Sequence, residues 1–399
     1  MCSRTWLALM LLVAGCAAAA TREGLEPVET FVARHWRQPL APQGPPPTRF
    51  SPLEASLAPE ACGACHPVQF SDWRTSLHAA SMGPGIAGQL AEMLESSPGE
   101  ALQCHQCHAP LAEQAPRVPG TLAPNPAFDP TLAPRGIPCA ACHVRGHRRF
   151  GPPRRDGSLE SAAPRETLPH GGVTRTPAYL ASEFCRDCHQ FRPDGYALNG
   201  KLLEDTYNEW KASRFAAAGT QCQDCHMPDR RHLWRGIHDP DMVRGGLAIS
   251  LTEDAARAPD GIAARLVVES TGVGHRFPTY VTPVVLLRAE LIDAAGRPIA
   301  GTGEERRIAR EVTLDLEREL ADTRLPPGGR AELAYARRLD GAAAAARFSV
   351  LVYPDAFYTA FFEALLRQGA GRGEAQVRET LDATRRSPYT LFERVVPAR

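Results

Sequence analysis

The chain has 399 residues, and its 45 basic side chains balance its 45 acidic ones. Only two residues are lysine, Lys201 and Lys211, and no basic stripe runs along the sequence, so no nucleic-acid partner is expected. The length suffices for two domains, and 36 clustered prolines exclude a simple helical bundle.

In chain order, residues 1–20 come first, with Arg4 ahead of an apolar run from Trp6 to Ala14. Such a run is too short to span a bilayer and reads as an export signal. It ends Val13-Ala14-Gly15-Cys16, which resembles a bacterial lipoprotein signal. That resemblance implies removal of residues 1–15 and lipidation of Cys16, and Ala17 after it points to the outer membrane. Acyl chains contribute about 0.8 kcal/mol per buried methylene, enough together for a stable anchor. Ordinary cleavage after the alanine run, giving a soluble periplasmic protein, is the alternative. Residues 16–60, with Gln43-Gly44-Pro45-Pro46-Pro47, read as a Pro-rich tether or an extended strap.

Residues 61–245 contain five copies of Cys-x-x-Cys-His: Cys62/Cys65/His66, Cys104/Cys107/His108, Cys139/Cys142/His143, Cys185/Cys188/His189 and Cys222/Cys225/His226, here motifs 1 to 5. The pattern is that of covalent c-type haem attachment, two thiols to the vinyl groups and the adjoining histidine under the iron. Zinc pairs do not require a histidine after the second cysteine each time. A two-residue gap also suits a redox dithiol better than a structural disulfide. Five covalent haems are therefore expected, and Cys16 is set aside for the lipid. One haem per 33–36 residues leaves little room for a side-chain core, so the cofactors should be the core. Short helices should start at or carry the motifs, with Pro-rich loops at 110–138 and 151–177. One longer helix is expected from Leu202 to Ala218.

After Gly245 cysteine disappears and alternating apolar runs begin, at 247–251, 262–269, 284–292, 331–335 and 348–352. Residues 246–399 should form an antiparallel β-sandwich, two helices near 355–368 and 373–384, and a last strand at 389–395. The fold class expected is α+β: a loop-rich, mostly helical multihaem domain, then the sandwich with its C-terminal helices.

Thirteen histidines are present, and five belong to the motifs. The others can supply second iron ligands; a bis-imidazole iron suits electron transfer, and an iron without one can bind substrate. His78, His147, His170, His232, His238 and His275 are the candidates, with His232 and His238 competing for one iron. His147 follows His143 too closely to fold back on the same iron. His275 would tie the sandwich to the haem domain. His35 and His105 are left without an iron, His105 because it lies inside a motif.

Motif 1, followed by Trp73-Arg74-Thr75-Ser76-Leu77-His78-Ala79, and Gly136-Ile137-Pro138 leading into motif 3 resemble the multihaem cytochromes related to tetrahaem cytochrome c-554. The resemblance covers roughly 60–230 and implies that His78 ligates another haem. His147 matches less closely because its spacer is shorter. Motif 5, with Met227-Pro228, goes beyond the four-haem pattern. Larger relatives carry a Cys-His-Met-Pro motif like it and a C-terminal β domain with a segment like Gly274-His275-Arg276-Phe277-Pro278-Thr279. A weak internal repeat aligns Asp72-Trp73, Ser76 and His78 with Glu209-Trp210, Ser213 and Phe215. Trp210 then packs near a haem or serves as helix core.

The function expected is an exported pentahaem electron carrier, passing electrons to other redox proteins and held on the membrane by its lipid. The alternative is an oxidoreductase acting on a small nitrogen or sulfur compound at one open haem. No Cys-x-x-Cys-Lys motif is present, so the site of the best-known pentahaem nitrite reductases is not expected.

Overall fold

A computed structural model describes residues 26–253, 261–339 and 341–397; Cys16 and the export signal lie outside the described residues. The fold is mixed α+β, with short helices first, then antiparallel sheets and two C-terminal helices. No helix among the described residues is long and apolar enough to cross a membrane.

The described part of the Pro-rich segment is a packed strap. Its helix Val28–His35 buries Phe31, Val32 and His35, and these join Trp36, Phe150 and Tyr179 in one cluster around motif 3. Apolar residues at spacings of three and four put that face inward. The cluster holds 12 buried residues, against 22 in the sandwich cluster. The polypeptide around the motifs is thus short of side-chain core, as expected of a domain completed by large apolar cofactors.

The expected helix over 202–218 is shorter and broken. Thr206–Lys211 and Arg214–Ala217 are separate helices, because the Ser213 hydroxyl caps the second by accepting from Phe215 N and Ala216 N. Leu202 belongs instead to a hairpin, Ala197–Leu198 against Lys201–Leu202, turning at Asn199-Gly200 with φ of 51° and 70°. Asn-Gly is the favoured pair for a turn with two positive φ values.

The sandwich has two sheets. One orders Arg330–Arg338, Gly261–Ser270 and Leu247–Glu253; the other orders Tyr389–Pro397, Ala345–Tyr353, Val284–Ile292 and Glu304–Ile308, all antiparallel. Leu266, Val285, Leu287, Phe348 and Val350 meet between the sheets. Glu304–Ile308, charged on most positions, was not signalled by alternation; it is an edge strand, where charge blocks further pairing. The helices Ala356–Gln368 and Glu374–Arg386 turn back to pack on Pro84–Ser96, just ahead of motif 2. Gly88 and Gly373 permit that crossing, since a Cβ on Gly88 would press on the Gly373 carbonyl at 3.0 Å.

Candidate haem sites

Each motif sits on or at the end of a short helix: Pro59–Gly63, Pro98–His108, Cys139–His143, Glu183–His189 and Cys222–His226. In helical geometry positions i, i+3 and i+4 share a face, so two thiols and the histidine can address one ligand.

Motif 1 is the one motif that its helix does not carry whole. Its helix ends at Gly63, so Cys62 lies inside it while Cys65 and His66 lie in the turn beyond. The cause is Pro67, which opens the next helix and disfavours the helical region for the residue before it; His66 stands at φ −120° and ψ 58°. The spacing survives the break, because Cys65 N and His66 N both still donate to Cys62 O, at 3.2 and 2.9 Å. Cys65 is also exposed, as is Cys225 of motif 5, whereas the other eight motif thiols are partly buried. The polypeptide alone therefore does not cover Cys65, and its place as an attachment thiol rests on the motif and not on an enclosing pocket.

Backbone carbonyls orient the rings. His108 Nδ1 donates to Ser81 O at 2.9 Å, His143 Nδ1 to Phe150 O at 2.8 Å, and His226 Nδ1 to Arg235 O at 2.7 Å. A carbonyl can only accept, so these rings carry the proton on Nδ1 and keep Nε2 for a metal.

Three motif histidines face a histidine from elsewhere in the chain. His189 and His78 have ring centres 6.2 Å apart, His143 and His232 also 6.2 Å, and His226 and His275 6.3 Å. An iron between two imidazoles requires roughly 6.2–6.4 Å: two bonds of about 2.0–2.1 Å, plus roughly 1.1 Å from each nitrogen to its ring centre. The residues therefore fit the cofactor that the motifs imply. His232 Nδ1 donates to Arg230 O at 3.1 Å and His275 Nδ1 to Arg276 O at 2.9 Å, again sparing Nε2. Burial pulls His78 down to about 3 and both His143 and His275 to about 4, so these rings are neutral at physiological pH, as metal ligands are.

Local structure explains how His78 reaches motif 4. Its carbonyl accepts from Ile137 N at 2.9 Å, which is possible because residue 136 is glycine at φ 60°; a Cβ there would strike the His78 oxygen. The loop after motif 1 is thereby laid across the segment leading into motif 3.

The remaining candidates are placed differently. His170 donates Nδ1 to Gly172 O at 3.3 Å and interacts electrostatically with His66 of motif 1. His147 lies in a two-residue turn, with Gly146 at φ 54° and His147 at φ 58°, and its Nε2 donates to Gly44 O at 2.9 Å. Only Nδ1 is left free there, buried and without a hydrogen-bond partner. His238 is paired with Asp355 at 3.0 Å, at the start of a C-terminal helix, and is not brought to a motif histidine. Among the described residues His108 has no histidine ring opposite it; Tyr358 lies near enough to Cys104 to interact with it electrostatically. Sequence reasoning passed over His35, whose Nε2 donates to Cys142 O at 2.8 Å, and His105, buried with both ring nitrogens unpartnered.

The thiols also relate the motifs to one another. Cys62 interacts electrostatically with Cys139, Cys107 with Cys188, and Cys185 with Cys222. Cys142 interacts electrostatically with Cys185 and Cys188. Motif 3 therefore lies between motifs 1 and 4, and motifs 2 and 5 each adjoin motif 4.

Residues 61–144 match the family described as cytochrome c554 and c-prime. The structure resembles a penta-heme cytochrome c552 from Thermochromatium tepidum, with a TM-score of 0.60 and 20% identity over 87% of this chain and all of that one. No curated protein matches the chain. With five repeated attachment motifs, facing histidines and a stretch, residues 61–144, that matches the cytochrome c554 and c-prime family, the chain has the make-up of a multihaem c-type cytochrome.

Proposed function

We propose that the protein is a pentahaem electron carrier, exported and held on the outer membrane by a lipid on Cys16, exchanging electrons with other redox proteins. The observation that carries the reading is the set of three histidine pairs at 6.2–6.3 Å, His78/His189, His232/His143 and His275/His226. When bound, each haem supplies a one-electron iron couple. The chain's own part is to anchor it through two thiols and, at these three pairs, to hold an imidazole on each side, a ligand set that changes little with oxidation state. His170 is the counterpart assigned to His66. The adjoining thiols support a connected array in which motif 4 is the junction, rather than five isolated centres.

The haem content should be five per chain, because each motif offers two thiols and an imidazole. A pyridine haemochrome assay against protein concentration measures it. A ratio of four or less would overturn the pentahaem reading.

Anchoring rests on Cys16. The Cys16→Ala protein should lose its acyl chains and move from the membrane to the soluble fraction. Retention on membranes in high salt after that change would refute the lipid anchor.

One observation favours a second reading, a reductase or oxidase of a small nitrogen or sulfur compound. His108 of motif 2 faces no histidine ring among the described residues, and the aromatic helix Ala356–Gln368 lies nearby. A high-spin signal in the oxidised parent that shifts with nitrite, hydroxylamine or nitric oxide would favour that reading. A wholly low-spin spectrum favours the carrier.

A further inference from the structure

Two short helices stand in the same relation to two different motifs. Pro67–Trp73 follows motif 1, and its Trp73 Nε1 donates to Ile137 O at 2.7 Å. Thr206–Lys211 follows motif 4, and its Trp210 Nε1 donates to Thr220 O at 2.9 Å. Ile137 stands two residues ahead of Cys139, and Thr220 two ahead of Cys222. Each indole thus pins the chain where it runs into a later motif, motif 3 in one case and motif 5 in the other.

The residue before each tryptophan is acidic and grips the opposite side. Asp72 accepts from the backbone N–H of His232 at 2.9 Å. Glu209 accepts from the backbone N–H of Arg276, next to His275, at 3.0 Å. Both carboxylates are nearly buried, 5% and 9% exposed, and each is also held by an arginine, Asp72 by Arg231 at 2.6 Å and Glu209 by Arg324 at 3.1 Å. His232 faces His143 of motif 3, and His275 faces His226 of motif 5. Helix-core packing accounts for a buried indole. It does not account for two polar groups of one helix ending on the two sides of one histidine pair, twice over.

We propose that Asp72-Trp73 and Glu209-Trp210 are two copies of one positioning clamp, each holding both sides of a single haem, the indole fixing the attachment motif and the carboxylate fixing the loop of the opposing histidine. The unit is a motif, its clamp helix and the later motif the clamp serves; motifs 1 and 3 form one copy, motifs 4 and 5 the other. The copies differ at the position six residues past the acid. His78 continues to His189 of motif 4, whereas Phe215 stops at the His275 loop, where a Cβ on Gly274 would touch Trp210 at 3.4 Å and Phe215 at 3.6 Å. The first copy hands a ligand onward and the second closes the array.

The proposal rests on the ligand assignments above, and the test separates the two. In the holoprotein, Glu209→Ala removes the acceptor for Arg276 N–H but leaves His275 in place. Release of His275 should become about tenfold more favourable, for loss of one charge-assisted hydrogen bond. The reduced protein should then bind carbon monoxide at that one iron with an apparent affinity raised about tenfold. Glu209→Gln, which keeps an acceptor oxygen, should restore the parent value. Asp72→Ala should act on a different iron, the one that His232→Ala opens. Combining Glu209→Ala with His275→Ala should add nothing to His275→Ala. Where an alanine variant carries fewer haems than the parent, Trp210→Phe and Trp73→Phe replace it, each expected to perturb the same single iron. Parent-like behaviour of the clamp variants, with His275→Ala still opening an iron, overturns the clamp alone. A parent-like His275→Ala overturns the ligand assignment beneath it.

Discussion

His275→Ala is expected to convert one iron from low-spin to high-spin while the haem count stays at five. Reduced, that iron should bind carbon monoxide far more tightly than in the parent, where His275 must leave first. The expectation follows from the geometry around His226. The two rings are nearly parallel, 13° apart, at the 6.3 Å that a shared metal requires. Arg276 O holds His275 Nδ1, so the ring can offer only Nε2. Burial keeps it uncharged, so no proton competes for that nitrogen at neutral pH. The alanine variant removes the imidazole and leaves both thiols of motif 5 untouched, so attachment and ligation are tested apart. Electron paramagnetic resonance of the oxidised protein reads the spin states. A spectrum matching the parent would make His275 a structural residue and the β domain a docking module.

The contrast between His275 and His147 shows which features the sequence carried. Cys-x-x-Cys-His is contiguous, so its chemistry is local and visible in one dimension. Even there the backbone had its own say: Pro67 after motif 1 stops the helix short of Cys65, a break that the motif itself does not announce. His275 was singled out as a spare histidine and by resemblance; that it faces His226 follows from how the loop after the Gly261–Ser270 strand folds onto motif 5. His147 was singled out by its place just after motif 3 and expected on a neighbouring haem, a placement that depends on where the chain reverses. Val144–Arg145 pairs with Arg148–Gly151, and the two-residue turn between them carries His147 away from His143 to the strap at Gly44. Gly146 beside a residue that accepts positive φ was the available signal for that turn. The sandwich strands were legible because alternation reports burial of one face directly. The charged edge strand Glu304–Ile308 and the buried polar ends of Trp73 and Trp210 left no such pattern, since a hydrogen bond between residues far apart in sequence imposes no periodicity.

The second large effect is expected where the two domains meet, at Arg310. Its side chain is 1% exposed. Nε donates to Glu319 at 2.9 Å, while the two terminal nitrogens reach Leu202 O at 2.7 Å and Lys201 O at 3.1 Å in the Asn199-Gly200 hairpin. The guanidinium is planar and carries five donors, so it can serve a carboxylate and several carbonyls at once, which lysine cannot. Glu319 and Asp322 return the grip by accepting from Lys201 of the same hairpin, each at 2.7 Å. The hairpin lies between motifs 4 and 5, so this junction sets the sandwich against the stretch whose far end His275 must meet. Arg310→Met keeps much of the volume but strands Glu319 and the hairpin carbonyls in a dry interface. Removing one partner of a buried pair costs about 3–5 kcal/mol; Lys201 remains for Glu319, which places the expectation near the lower end, about 3 kcal/mol. Denaturant unfolding of the holoprotein, followed by tryptophan emission and by the haem spectrum, should show the loss. Because the junction positions His275, a high-spin signal should appear at lower denaturant than in the parent. A variant that unfolds within about 0.5 kcal/mol of the parent, the range of a neutral surface change, would mean that Arg310 does not carry the junction between the hairpin and the sandwich.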